Sequence, residues 1–265
     1  MRKLAAVSPT RTTRTLADHT PESFSSPGSD QDRVMQSLVA AQPARLGTAH
    51  RLETLRWAGV LDSSYGTVVD IGGYDGAICS HIRARKRIVV EPNPPKSDQI
   101  ARGVELVRPA GRHMPIVTGS ADLVLMTDVL EHVEEPEQLV SEALRLLKPS
   151  APCVVTVPCR DIRIFPPFLQ DWVDHRWDHT IRRGFTIGEL DHIIRSAGGE
   201  VVRTIPLSSL SFRFAYLPLS IVWRLWKAPS RLLLMALTRL DFQLRNVGAK
   251  QGYIFCEFTR STSNG

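Results

Sequence analysis

The chain has 265 residues, 29.6 kDa, and 43% of them are hydrophobic, which supports one full-sized core but not two large domains with linkers. A net charge of +6 and a pI near 9.4 admit an anionic partner such as nucleic acid or a membrane surface without requiring one.

Residues 1–32 are rich in Ser, Thr, Pro and Arg and carry no apolar period, so a disordered tail is expected. A single domain over 33–265 then follows. From Arg33 to Leu61 apolar positions recur at helical spacing, broken near Pro43, which predicts one or two helices ahead of the first strand.

Val68 to Gly76 is the centre of the sequence. A β-branched run ends in Asp70, and Gly72, Gly73 and Gly76 follow at once, which reads as strand, tight loop and helix start, with a helix over Ala77 to Ala84. Glycine turns sharply and lets a ligand approach backbone N–H groups, so a nucleotide-like ligand can rest here. Arg87 to Glu91 is the second strand. Its terminal Glu91 is placed to accept hydrogen bonds from ribose hydroxyls, with Asn93 just beyond, in a Pro-rich break, as a candidate for adenine or ribose. Val104 to Val107 is the third strand.

Asp70, Gly72 and Gly76 resemble motif I, D-x-G-x-G-x-G, of class I S-adenosylmethionine-dependent methyltransferases, with Tyr74 standing where the second glycine would be. Ala121 to Val133 is similar to the fourth-strand block of that superfamily, ending Leu130-Glu131-His132-Val133. A helix from Pro136 to Leu147, Lys148-Pro149 and a fifth strand Cys153 to Val157 follow in the family order. The resemblance covers roughly Thr67 to Val202. It implies a doubly wound, Rossmann-like α/β fold with a mostly parallel seven-stranded sheet, an antiparallel last strand, and helices on both faces. It implies S-adenosyl-L-methionine as cofactor, with Asp70, Gly72, Gly73 and Gly76 at its methionine end, Glu91 at the ribose, Asn93 at the adenine or ribose, and the backbone around Thr127 and Asp128 flanking the methyl group. Many relatives carry an acid soon after the third strand that contacts the adenine amino group, whereas here Arg108-Pro109-Ala110-Gly111 supplies none.

The long connection from Pro158 to Gly184 leaves the ligand side of the sheet and is expected to roof the acceptor pocket. A helix Ile187 to Ala197, a sixth strand Gly199 to Ile205 and a seventh, Gly252 to Thr259, complete the domain. Between the last two strands lies an apolar, basic, helical insertion over 208–247, whose only acid is Asp241. It has no charge-free run of the ~20 residues needed to span a membrane. It fits an interfacial membrane helix, a dimer interface or a cap over the pocket.

Methyl transfer from a sulfonium needs alignment and, for a hydroxyl acceptor, a base. His132, His175 and His179 are the candidates. No metal is expected, although Asp128, Glu131 and His132 have the D/E-x-x-E-H spacing by which ubiquinone-biosynthesis O-methyltransferases and small-RNA 3′-terminal methyltransferases hold a divalent ion. The acceptor expected is a small-molecule, sugar or lipid-linked hydroxyl. An RNA methyltransferase using the triplet and a catalytically inactive binding or scaffold protein are the alternatives. Cys79, Cys153, Cys159 and Cys256 lack C-x-x-C spacing and read as reduced, mostly buried thiols. No secretory signal is evident, and the expected location is cytoplasmic, with peripheral contact at the inner face of the membrane through the insertion.

Overall fold

The computed structural model describes residues 45–176, 181–207, 210–244 and 252–261. The elements are α1 (Leu46–Trp57), β1 (Ser64–Ile71), β2 (Arg83–Val90), β3 (Glu105–Val107), β4 (Leu123–Thr127), α2 (Pro136–Leu146), β5 (Cys153–Pro158), α3 (Gln170–Arg176), α4 (Ile187–Ser196), β6 (Gly199–Leu207), α5 (Leu210–Leu225), α6 (Lys227–Gln243) and β7 (Tyr253–Arg260). The tail over 1–32, the first part of the N-terminal helical segment, and His179 lie outside the described residues.

Seven strands form one sheet in the order β3-β2-β1-β4-β5-β7-β6. The first five pair in parallel and β7 runs antiparallel to both its neighbours. β4 and β5 are buried along their whole length, as continuous apolar runs at the centre of a sheet covered on both faces must be. Alternating side chains separate two cores. Val69, Val124 and Val155 face α2 and α4, whereas Val68, Leu123 and Val154 face α1, α5 and α6. The strand order reverses between β1 and β4, and in such sheets the ligand crevice opens at the carboxyl ends beside that reversal.

The helix expected over Ala77 to Ala84 does not form. A single tight turn, Cys79–His81, joins β1 to β2, and β2 begins at Arg83 rather than Arg87. The reason is strand length: β1 starts at Ser64, and the parallel register runs from Ser64 opposite Arg83 to Ile71 opposite Val90. That register consumes the residues a helix would have needed. The insertion forms two helices, α5 and α6, joined through Trp226. No helix among the described residues is long and apolar enough to cross a membrane. All four cysteines are free and buried.

Candidate active site

The glycine loop is set by what its glycines touch. Gly72 adopts φ +71°, donates its N–H to the Val90 carbonyl at 2.8 Å, and a Cβ there would lie 2.6 Å from a Val129 methyl. A Cβ on Gly73 would lie 2.6 Å from the Asp70 carboxyl. The loop is therefore drawn down onto Asp70 on one side and onto the segment after β4 on the other. Gly76 also lies at positive φ. Tyr74, in the second glycine's place, holds φ +50° with its side chain exposed, so it leaves the loop open. The Arg45 guanidinium lies 4.7 Å from the Tyr74 ring centroid and bonds Asp75 at 2.8 Å. Glu91 braces the loop from β2, accepting the Tyr74 N–H at 3.2 Å and the Asn93 N–H at 3.1 Å.

Asp70 is completely buried at the end of β1, and neither carboxyl oxygen makes a hydrogen bond of ordinary geometry among the described residues. Burial pushes its carboxyl up to about 7, with the Arg51 charge and the Cys79 backbone pulling weakly the other way. Asp70 lies under the glycine loop and does not line the cleft described below, so it bears on a ligand through the loop that it supports.

Next to this loop a cleft of about 390 Å³ opens between Ile71, Gly72, Val90, Pro109, Met114 and Val129. The segment after β3 lines the cleft with Pro109, Gly111, Arg112 and Met114, and Glu134, Glu135 and Gln138 line its other side. The walls suit the faces of a flat heterocycle.

Across the strand reversal, Asp128 follows β4 at φ +55°, a strained position for a residue with a side chain. Its carboxylate is held twice: Arg51 Nε donates to Oδ2 at 2.7 Å and Thr156 Oγ1 to Oδ1 at 2.9 Å. Thr127 is buried at the end of β4. His50 is buried beside the pair, its ring centroid 5.3 Å from that of buried Tyr253. Burial holds the His50 imidazole down to about 4, against the pull of Asp128, so it is neutral at physiological pH. Glu131 is buried as well. Burial, then the neighbouring Asp128 charge, push its carboxyl well above the usual range.

Of the three candidate bases, His132 reaches this group: its side chain is 34% exposed and Nε2 lies 3.9 Å from Glu131 Oε1. His175 is exposed on α3. Asp128, Glu131 and His132 are neighbours, yet both oxygens of Asp128 are engaged by Arg51 and Thr156. Among the described residues no group of three or more His, Cys, Asp and Glu is arranged to hold a metal ion. His50, Arg51 and Tyr253 belong to this cluster and were not singled out from sequence. No local pattern marks them, because α1 has almost no amphipathic bias and buries Thr48, His50, Glu53 and Thr54 alongside its leucines.

Residues 32–204 match the family model described as a methyltransferase domain. An uncharacterized methyltransferase of Mycobacterium sp. (strain KMS) is 31% identical over 107 residues, covering 38% of this chain and 42% of the relative. The norajmaline N-methyltransferase of Rauvolfia serpentina is 28% identical over 155 residues, 53% of this chain and 51% of that protein. The match thus spans about half the length of these curated relatives, or less. Among solved structures, Haemonchus contortus phosphoethanolamine N-methyltransferase 2 in complex with S-adenosyl-L-methionine superposes with a TM-score of 0.53, at 13% identity, over 79% of this chain and 52% of that one. Sheet order, glycine loop and family match agree: the chain belongs to the S-adenosylmethionine-dependent methyltransferase domain family.

Proposed function

We propose that the protein transfers a methyl group from S-adenosyl-L-methionine to a small-molecule, sugar or lipid-linked hydroxyl. The observation that carries the donor half is the buried, weakly partnered Asp70 beneath glycines whose Cβ positions are closed by Val129 and Asp70 itself. These features fit the donor. Asp70, Gly72, Gly73 and Gly76 would hold its methionine end, Glu91 and Asn93 the ribose, the Pro109–Met114 wall the adenine, and the backbone at Thr127 and Asp128 the region of the methyl group. When bound, the donor supplies an already activated sulfonium methyl. The chain's own work is then alignment, exclusion of water and removal of one proton.

His132 is the proposed base, because it is the candidate that is both near the strand reversal and partly open to solvent. Arg51 and Thr156 fix Asp128 and so shape the floor on the acceptor side. The Rauvolfia relative is named an N-methyltransferase, and nitrogen is therefore the alternative acceptor atom.

Calorimetric titration with S-adenosylmethionine and S-adenosylhomocysteine tests the donor site. The wild-type protein is expected to bind both, and Glu91→Ala to weaken binding about tenfold or more, the worth of a hydrogen bond to a charged group. No binding by folded wild-type protein rejects the reading. His132→Asn should keep donor affinity and lose turnover once an acceptor is found, and the methylated atom is read from the product by NMR.

A further inference from the structure

α6 buries four polar side chains beside Leu234 and Phe242 and leaves three leucines outside. Its inward face carries Ser230, Arg231, Leu234, Thr238 and Asp241, all buried, while Leu232, Leu233 and Leu240 stand exposed on the other. α5 shows a matching outer face with Phe214, Ile221, Val222 and Leu225. The helices meet at Trp226, 66% exposed beside Leu225 at 71%. Eight of the fifteen large apolar side chains exposed among the described residues belong to these two helices and their junction. A monomer surface in water does not concentrate them so.

We infer that the α5–α6 face docks on an anionic lipid surface, with Leu225 and Trp226 entering the acyl boundary and Arg224 and Lys227 meeting the headgroups. The choice of occupant rests on charge. Arg224 and Lys227 are exposed on either side of the apolar tip, and the only acid between residues 210 and 244, Asp241, is buried on the inner face. A second copy of this chain would bring the same cations against its own, whereas an anionic bilayer complements them. Neither helix can span a bilayer, so the pair lies in the interface plane, as amphipathic helices with a cationic rim do.

The face also reaches the connection after β5. Phe165 stacks on Phe214 with ring centroids 4.0 Å apart, and beyond it Phe168 and Trp172 are 82% and 57% exposed. Exposed aromatic side chains suit the headgroup boundary of a bilayer. The inference stands independently of the methyl-transfer reading, because it uses none of the residues assigned to the donor.

The test is flotation of the full chain with phosphatidylcholine vesicles, with and without phosphatidylglycerol, at low and high salt. Binding is expected to the phosphatidylglycerol vesicles and to weaken with salt. Arg224→Ala with Lys227→Ala should lower partitioning about fivefold per cation removed. Leu225→Glu with Trp226→Glu should lower it by more than about tenfold. Both pairs are exposed, so the thermal transition should stay that of wild type. No binding to phosphatidylglycerol vesicles, or binding that the Leu225→Glu, Trp226→Glu protein retains, overturns the inference. So does light scattering that shows a dimer which this variant dissociates, since the face would then belong to a second copy.

Discussion

Asp70 holds its proton to about pH 7 in the fold, against an ordinary value of 3.8, because burial disfavours the carboxylate. The unfolded chain gives that proton up near pH 4. Between these values the native state binds more protons than the unfolded one, so stability falls as pH rises through the window and levels off above it. In ligand-free protein, Asp70→Asn, neutral at every pH, should flatten this fall. Thermal midpoints of both proteins between about pH 4 and 7 check it, and parallel curves would mean that Asp70 is ionised in the fold. At this scale the sequence was readable where the backbone carries the constraint. Gly72 and Gly76 take positive φ, as a tight loop requires, whereas Glu91, expected at a ribose, accepts the main-chain amides of Tyr74 and Asn93. Arg51 and Asp128 are 77 residues apart and Tyr253 is further still, and no local pattern records their meeting.

Elements were legible in proportion to how far their own residues decide them. α2, with its apolar stripe and first-turn Pro136, and α4, with a capping box between Thr186 and Glu189, appear where periodicity puts them. The segment after Gly76 was misread because its fate is decided by β1, whose full length is visible only when β2 is paired with it. The 208–247 insertion was legible as helical, but not as part of the core. Leu219, Trp223, Leu234 and Phe242 are buried against α1 leucines and the sheet. Four such side chains contribute roughly 6–12 kcal/mol, an upper estimate, against a typical net stability of about 5–15 kcal/mol. The pair of helices is therefore not a removable appendage. A chain lacking 208–247 should show no cooperative transition by calorimetry, and a wild-type-like transition would show that the domain folds without it.

Among the described residues, α1 crosses the ligand edge of the sheet, and much of the candidate site depends on where that helix lies. α1 is tied at its start by Arg45 to Tyr74 and Asp75, and farther along by Arg51 to Asp128. The two ties are unequal. The Arg45 pair is half exposed at the arginine and worth about 0–1 kcal/mol, whereas Arg51, one-third exposed, meets an Asp128 only 6% exposed, a charged hydrogen bond worth about 1.5–3 kcal/mol. The stretch between the ties is itself packed, with Leu46, Thr48, Ala49 and His50 buried, so loss of the weaker tie frees the Tyr74 loop and not the helix. Entry of a donor and escape of its demethylated product would then be timed by the Tyr74–Asp75 loop letting go of Arg45, while α1 stays seated. Stopped-flow measurement of S-adenosylhomocysteine release should accordingly find Arg45→Ala faster than wild type at little cost in stability. Equal release rates would mean that the traffic passes elsewhere.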